Sequence, residues 1–437
     1  MPGTEGITPK TWIARQDLAP LTNRSTSFAA KAGALGVGVF AITIWALPQH
    51  LFPALGDLRV GVLTAGLMAG GLGLRWFLGG AAPTAGGWRV AGLAAFVGAA
   101  GLSQLWSVDP ASSRWAGGEA LKMGLVYVSA ASLLDSAGRL RKVAWAIALA
   151  GCVPSYYAVY NSLNGIDLLE GYRARWLGTF YDPNRLAMAV VISSMLLLSL
   201  RSRLRSPLAR TVVLALFGLQ VWAVIVTYSR GAALGLGVGL VAFVLAGRGN
   251  RARSFAVAGA VVVALLALAP SRFWDRTETI ASYEEDLSAQ GRIDAWRTAG
   301  NILERRPLTG VGAAAFTSAW ATYAPDDAGI HPYVAHNLFL EVAAELGIPT
   351  LAAFLVLLFA CLRGAWTATD PRSPVRIEAR GILAAGGGYL VCQMFAGFTL
   401  SFFLFLLLGM ATAAQRIERA EREARERPIE LLPEARG

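Results

Sequence analysis

Two of the three histidines of the chain lie in one short stretch, His331-Pro-Tyr-Val-Ala-His336-Asn337. This stretch ends a long polar segment, residues 271–335, and an apolar run follows it. An imidazole at such an aqueous boundary titrates near neutral pH, so it can take a proton from a hydroxyl nucleophile, which typically accelerates a reaction by about 10²–10⁴. His336 is therefore the candidate general base. The alternative is a histidine that only hydrogen-bonds a helix end, which is the more common case for a histidine that stands alone.

Arginines at the mouths of apolar runs form the second group of candidate residues. Arg185 ends the sequence Phe180-Tyr-Asp-Pro-Asn-Arg185, and Arg230 lies in Thr227-Tyr-Ser-Arg-Gly231. Arg292 and Arg297 lie within the polar segment. A guanidinium presents a planar fork that matches phosphate oxygens, so several arginines together predict a site for a phosphate or pyrophosphate group. The alternative for any single arginine is snorkelling or an ion pair with a nearby carboxylate.

Further polar residues next to these candidates are predicted to support the site: Asn184, Tyr228, His331 and Asn337. His331 and His336 could form a metal pair, but their spacing, with an intervening proline and no cysteine, is a weak ligand pattern. The chain also has no Walker A lysine motif, no Gly-x-Ser-x-Gly elbow and no His-Glu-x-x-His helix. We therefore expect neither a metal nor a cofactor.

The elements that position these residues are predicted to be membrane-spanning helices. Hydrophobic residues make up 55% of the 437 residues, charged residues only 15%, and the mean hydropathy is +0.50. Apolar runs of about 18–22 residues, the length that crosses a hydrocarbon core, recur between short arginine clusters. About twelve such runs occur, near residues 27–47, 61–79, 90–106, 118–134, 143–160, 186–200, 211–228, 232–246, 255–269, 338–362, 382–396 and 399–413. Glycines within them, as in Gly235-Leu-Gly-Val-Gly239 and Gly386-Gly-Gly388, are predicted to let helices approach closely.

The basic residues predict how these helices are oriented. If successive loops alternate between two sides, most lysines and arginines fall on one side, and short cytoplasmic loops carry such an excess. We therefore expect an even number of spans with both termini in the cytoplasm. The net charge of +11 then follows from membrane topology. It does not indicate nucleic-acid binding, because the basic segments have no interleaved aromatic residues for base stacking.

The predicted fold is an all-α integral membrane protein with about twelve transmembrane helices and one large extracytoplasmic loop. The polar segment is that loop, and the candidate arginines and His336 are expected on the same side of the membrane. The predicted parts of the chain are a cytoplasmic tail at 1–26, transmembrane helices 1–9 at 27–270, the large periplasmic loop at 271–335, transmembrane helices 10–12 at 336–414, and a charged cytoplasmic tail at 415–437.

An ordered set of short motifs resembles the O-antigen ligase and polymerase superfamily over about residues 105–350. The motifs are Leu105-Trp-Ser-Val-Asp-Pro110, Phe180-Tyr-Asp-Pro-Asn184, Tyr228-Ser-Arg-Gly231, Gly291-Arg-Ile-Asp-Ala-Trp-Arg297, Pro307-Leu-Thr-Gly-Val-Gly312, Ala335-His-Asn-Leu-Phe-Leu340 and Glu345-Leu-Gly347. The resemblance implies a lipid-linked-donor (GT-C-like) glycosyltransferase. Such an enzyme takes a glycan from undecaprenyl diphosphate at the periplasmic face of the Gram-negative inner membrane.

The resemblance also implies roles for individual residues. His336 would activate the acceptor hydroxyl. Arg230 and Arg292, with Arg185 and Arg297, would hold the diphosphate, and neither a metal nor a nucleotide would be required. The compact chain with one large outer loop is most similar to the O-antigen ligases, whose acceptor is lipid A-core oligosaccharide. An O-antigen polymerase or a protein O-glycosyltransferase with the same donor is the alternative.

A transporter for an anionic lipid or solute is the alternative from another class of protein. Transporters usually place their polar binding groups near the middle of the membrane, on broken helices of repeated halves. The polar candidates of this chain cluster at one face, and the sequence has no convincing internal repeat. These two observations favour the glycosyltransferase.

Overall fold

The computed structural model describes residues 10–78, 87–247, 287–329, 331–397 and 399–426, together with residues 256 and 259. This part of the chain is almost entirely helical. The first half contains α1 (Lys10–Ala46), α2 (Pro48–Leu51), α3 (Pro53–Asp57), α4 (Val60–Phe77), α5 (Gly87–Leu102), α6 (Pro110–Leu133), α7 (Ala137–Ala150), α8 (Cys152–Asn164), α9 (Pro183–Leu200), α10 (Pro207–Val226) and α11 (Arg230–Leu245). The second half contains α12 (Leu287–Arg305), α13 (Trp320–Tyr323), α14 (Leu338–Leu346), α15 (Ile348–Thr367), α16 (Arg376–Ala396) and α17 (Phe402–Glu426).

Side chains in the sequence fix the starts of the helices near the candidate site. Asp109 caps α6 and Asp182 caps α9, and in both cases a proline occupies the first helical position. Ser229 caps α11 and Asn337 caps α14. Each cap accepts a hydrogen bond from a backbone N–H that the helix itself cannot satisfy, and proline has no N–H to satisfy there. Short polar motifs in the sequence therefore determine where these helices begin.

Six helical stretches in the described part of the chain are long and apolar enough to cross a membrane. They are Phe28–Ala46, Val60–Phe77, Ala137–Asn164, Pro183–Arg203, Pro207–Val226 and Ile348–Thr367, and Arg230–Leu245 is a shorter apolar helix. Every predicted apolar run overlaps a helix, except the run at 255–269, which lies almost entirely outside the described residues. The prediction of a helical multi-pass membrane protein is confirmed, and the number of spans stays a prediction.

The structure differs from the sequence prediction at two places. The predicted run at 338–362 is divided at Gly347, whose φ of +85° ends α14 before α15 begins. The run at 143–160 lies in one helical stretch, in which only Gly151 separates α7 from α8. The fold is also not purely helical, because β1 (Leu168–Leu169) pairs antiparallel with β2 (Arg173–Ala174).

The basic segments predicted to be cytoplasmic meet at one end of the helix bundle. Glu378, at the start of α16, is fully buried and forms ion pairs with Arg141 and Arg203 at 2.7 and 2.8 Å. Arg380 donates to the Phe243 carbonyl at 2.6 Å. These contacts join the start of α7, the loop after α9, the end of α11 and the start of α16. Arg185 lies in the first turn of α9 and Arg230 begins α11, so both lie at the other ends of helices that meet here. Which side of the membrane each end faces stays a prediction.

A strap of backbone hydrogen bonds joins three of the sequence motifs at the opposite end. The N–H groups of Val311 and Gly312 donate to the carbonyls of Ala344 and Glu345 at 3.0 and 2.9 Å. In the first motif, the Val108 N–H donates to the Val311 carbonyl at 3.0 Å. The motifs at 105–110, 307–312 and 345–347 therefore have a structural role, because they connect the polar segment to the starts of α6 and α15.

Glycines allow α11 and α16 to pack closely, as the sequence predicts. A Cβ placed on Gly235 would lie 2.3 Å from the Cys392 sulfur and 2.5 Å from the Gly388 carbonyl oxygen. Both distances are too short for a real Cβ atom, so position 235 has no space for a residue with a side chain. The contact brings the beginning of α11, which carries Arg230, against the end of α16.

Replacement of Glu378 is expected to destabilise the fold. Glu378→Ala leaves two guanidinium groups facing a buried space without their carboxylate, which costs on the order of 3 kcal/mol. Thermal unfolding of the purified protein in detergent should show a clear drop in Tm. The matched control is Glu423→Ala, because Glu423 pairs with Arg419 on the exposed end of α17. Equal Tm values for the two variants would contradict the role given to Glu378.

Candidate active site

Two of the four candidate arginines, Arg230 and Arg292, lie together at the end of the bundle opposite the basic segments. Arg173, Arg230 and Arg292 line one narrow cavity of about 20 Å³. Asn184, Tyr228 and the last turn of α16 complete its wall. The polar segment, the start of α11 and the β-hairpin thus bring three guanidiniums together. The cavity is too small for a diphosphate in this conformation, so binding of one requires side chains to move.

Local backbone geometry sets the direction of Arg230. Tyr228 is buried and adopts a φ of +52°, which turns the chain sharply between α10 and α11. Its ring packs edge-on against Tyr172 of the hairpin, with ring centroids 5.1 Å apart. Ser229 then caps α11, and Arg230 is the first helical residue. A positive charge at a helix N-terminus is electrostatically unfavourable, so this arginine is placed there against the helix dipole.

Arg173 is a buried cation that the sequence analysis did not assign to the site. Its guanidinium donates to the Asn184 side chain at 3.1 Å and to the Thr227 carbonyl at 3.2 Å, and it lies 3.5 Å from the Glu170 carboxylate. These contacts join the hairpin to the start of α9 and the end of α10. The role found for Asn184 is therefore to hold Arg173. The signal in the sequence that could have identified Arg173 was its position between two apolar runs.

His336 lies beside this arginine cluster in a strained conformation. Its φ is +49°, a left-handed value that is uncommon for residues other than glycine. Burial lowers the pKa of His336 below its ordinary value, and the positive charge of Arg292 lowers it further. Asp182 and a hydrogen bond to the backbone of Ala396 act in the opposite direction. The net effect is a neutral imidazole at pH 7, which is the form that can accept a proton.

Gly397 holds the His336 turn against the end of α16. A Cβ on Gly397 would lie 2.7 Å from the Asn337 nitrogen, 2.9 Å from Glu341 Oε2 and 3.0 Å from the His336 carbonyl carbon. The φ of Gly397 is +54°. Both the conformation and the lack of space require glycine at this position. The Asn337 side chain is occupied as the cap of α14, where it accepts from two backbone N–H groups at 3.0 and 3.2 Å.

Two buried carboxylates on α14 were also missed by the sequence analysis. Glu345 accepts from the N–H groups of Ala314 and Phe316 at 2.7 and 3.3 Å and thereby holds the strap. Burial raises the pKa of Glu341 to about 7, with Thr399 and Arg185 acting in the opposite direction. The pKa of Glu345 is also raised, first by burial and then by Glu341. Two acidic residues four positions apart in an apolar run were the available signal.

Two predicted residues lie apart from the cluster. Arg297 is about half exposed on α12 and pairs with Asp327 at 3.0 Å, and this hydrogen bond raises the pKa of Arg297. His331 is exposed, and neither His331 nor His336 lines the cavities that hold Arg185, Arg230 or Arg292. The diphosphate contact predicted for Arg297 and the support predicted for His331 stay predictions, and this geometry does not favour either.

Arg185 lies between two larger cavities next to the arginine cluster. One cavity of about 380 Å³ runs along α1, α9 and α17 and is mostly apolar, with His50 and Gln49 at its rim. The other, of about 320 Å³, lies under the strap and is lined by Trp115, Glu341 and Thr399 among others. Sites for small molecules typically have volumes of about 300–1,000 Å³, so both cavities are large enough for a ligand. Within the described residues no group of three or more histidine, cysteine, aspartate or glutamate side chains is arranged to hold a metal ion.

These features define a helical multi-pass membrane protein with an arginine-lined cavity near His336 at one end of its bundle. Residues 215–355 match a protein-family model described as O-antigen ligase. The predicted resemblance to the O-antigen ligase and polymerase superfamily is thereby confirmed. A search of curated proteins found no match. The matched residues include Arg230, Arg292 and His336, whereas Arg185 lies outside them.

The packing of Gly397 against His336 can be tested by chemical labelling. Gly397→Ala should displace the His336 turn and increase the rate at which diethyl pyrocarbonate modifies His336, measured by mass spectrometry relative to the exposed His331. The control is Gly165→Ala, because Gly165 also has a positive φ, +66°, but a Cβ added there would meet nothing within 4 Å. Both variants share the backbone strain, so a labelling ratio that rises equally in both would refute the contact.

Proposed function

We propose that this protein is a membrane glycosyltransferase of the O-antigen ligase type. It transfers a glycan from undecaprenyl diphosphate to lipid A-core oligosaccharide during lipopolysaccharide assembly. The observation that carries the proposal is the cavity lined by the guanidiniums of Arg230 and Arg292, with His336 next to Arg292, inside the part of the chain that matches the family. One group accepts a proton and the others stabilise phosphate charge, which are the two requirements of such a transfer.

In the proposed reaction, the oxygen of an acceptor hydroxyl attacks the anomeric carbon of the donor glycan. The bond between that carbon and the diphosphate oxygen breaks, and the diphosphate leaves with the bonding electrons. The hydroxyl proton passes to His336. Arg230 and Arg292 stabilise the negative charge that grows on the leaving diphosphate, and Arg185 approaches the same region from α9. No metal takes part in the proposed reaction. After the transfer, the protonated imidazole of His336 releases its proton to water and becomes neutral again.

The proposed location is the inner membrane of a Gram-negative bacterium, with the site on the periplasmic side and both termini in the cytoplasm. The grouping of Arg141, Arg203 and Arg380 at the opposite end supports this orientation, because basic residues are retained on the cytoplasmic side. An O-antigen polymerase or a protein O-glycosyltransferase would use the same donor site with another acceptor. The transporter alternative requires no general base, and the environment of His336 therefore favours an enzyme.

The decisive assay is glycan transfer by the protein in lipid vesicles, with undecaprenyl-diphosphate-linked glycan and purified lipid A-core oligosaccharide, and with a chelator present. His336→Ala should lower the rate by about 10²–10⁴ because the general base is lost. His331→Ala is the matched control and should keep the wild-type rate. Elongation of the donor without transfer to lipid A-core would identify a polymerase. If the wild type forms no new glycosidic bond, the proposed transfer is contradicted and the transporter alternative is favoured.

The pH dependence of transfer should follow the state of His336. A general base works only when neutral, so activity is lost as pH falls through the pKa of the folded protein, which lies below the ordinary value of 6.5. The rate should therefore be level at neutral pH and decline only below about pH 6.5. Arg292→Gln removes a nearby positive charge and should move this decline to higher pH in the residual activity. A wild-type rate that already declines above pH 7 as the pH is lowered would contradict the lowered pKa of His336.

A further inference from the structure

The 320 Å³ cavity beneath the strap has no role in the reaction described so far. It is lined by the exposed ring of Trp115, by Arg185 and Glu341, and by the loop at Ala314 to Thr317. It shares Arg185 with the 380 Å³ cavity, and Ala335 and Gly397, the neighbours of His336 in sequence and in space, are part of its wall. A ligand in this cavity would therefore lie next to the His336 turn.

Two polar atoms of the cavity residues are buried without a satisfied hydrogen bond. Glu341 Oε2 and Thr399 Oγ1 are shielded from solvent, and neither makes a well-formed hydrogen bond within the described part of the chain. Thr399 lies next to the Glu341 carboxyl, and its hydroxyl and backbone N–H lower the pKa of that carboxyl. An unsatisfied buried polar atom costs about 1–3 kcal/mol, so folded proteins rarely retain one without a reason. A bound ligand with hydroxyl groups would satisfy both atoms.

Glu345 provides the contrast on the same helix. Its carboxylate accepts two backbone N–H groups and has a structural function. Glu341 has no equivalent contact with the strap in the part of the chain that the structure describes, although it lies one helical turn away on the same face. The structure thus explains the presence of Glu345 and leaves the Oε2 atom of Glu341 available for a ligand.

The chemistry of the cavity selects the class of ligand. An exposed indole face beside hydrogen-bonding groups suits a sugar ring, which has an apolar face and hydroxyl groups at its edge. Because burial raises the pKa of Glu341, the carboxyl carries a proton at neutral pH for much of the time and can both donate to and accept from a sugar hydroxyl. A second phosphate group fits less well, since among the described residues a single guanidinium, that of Arg185, is found in this cavity's wall.

We propose that this cavity is the subsite for the acceptor sugar, with Glu341 as the positioning residue for the acceptor hydroxyl and Trp115 as the stacking surface. The inference rests on the proposed transfer reaction and adds to it the place from which the acceptor approaches. Glu341 holds the acceptor through a hydrogen bond and leaves the removal of the proton to His336. Its loss therefore changes binding of the acceptor more than binding of the donor.

The test is steady-state transfer with the reconstituted protein, in which lipid A-core oligosaccharide and the undecaprenyl-diphosphate donor are each titrated in turn. Glu341→Ala should raise the KM for lipid A-core about three- to tenfold, as expected for one lost hydrogen bond, and leave the donor KM unchanged. Glu341→Gln keeps a neutral hydrogen-bonding group and should restore most of the acceptor affinity. Glu345→Gln should lower Tm instead, because it weakens the hold on the strap.

Trp115→Ala gives a second test that does not depend on a buried position, because Trp115 is 60% exposed. It should also raise the acceptor KM, while Trp366→Ala, an exposed tryptophan at the opposite end of the bundle, should not. Wild-type transfer combined with unchanged acceptor KM in Glu341→Ala and Trp115→Ala overturns the subsite and leaves the proposed function standing. Equal loss of activity in Glu341→Gln and Glu341→Ala also overturns the hydrogen-bonding role. Absence of transfer by the wild type overturns the proposed function itself.

Discussion

The hydrocarbon core of a membrane excludes charges and unpaired backbone groups, and this constraint arranges the whole chain. Charged residues collect at the two ends of the helices, where they either pair with one another or line a cavity. At one end, Glu378 gathers arginines from separate loops into a compact network. At the other end, the arginines lie around narrow cavities beside His336. One end thus carries a buried carboxylate shared by two arginines, and the other carries a cavity lined by three.

Much of this arrangement could be predicted from the sequence. Apolar runs located the helices, and the exposed ends of those runs identified Arg185, Arg230 and His336, because a charged group at a membrane boundary needs a partner or a ligand. The prediction was less successful where the role of a residue depends on contacts between distant parts of the chain. Hydropathy could not show the break at Gly347, since both sides of it are apolar. Nor could it separate Arg297, which pairs with Asp327, from arginines that line a cavity, because all of them lie in similar polar surroundings along the chain.

Backbone strain is concentrated around the candidate site. Tyr228, Ala314 and His336 have φ values of +52°, +54° and +49°, and each such conformation costs on the order of 1–3 kcal/mol. Each is held by a specific neighbour: the ring of Tyr172, the carboxylate of Glu345 and the surface of Gly397. The backbone of these residues is held in place, so the space that a diphosphate needs comes from movement of side chains. A backbone held in this way limits the reorganisation that binding requires.

The position of Arg185 between two cavities has a thermodynamic consequence. A side chain that forms part of both walls cannot move toward one ligand without altering the surroundings of the other. If a ligand in one cavity changes the affinity of the second cavity for its own ligand by some factor, the second ligand changes the affinity of the first cavity by the same factor. This follows because the free energies of binding around a closed cycle sum to zero. Occupants of these two cavities are therefore coupled through a single guanidinium, and this coupling requires no change of fold.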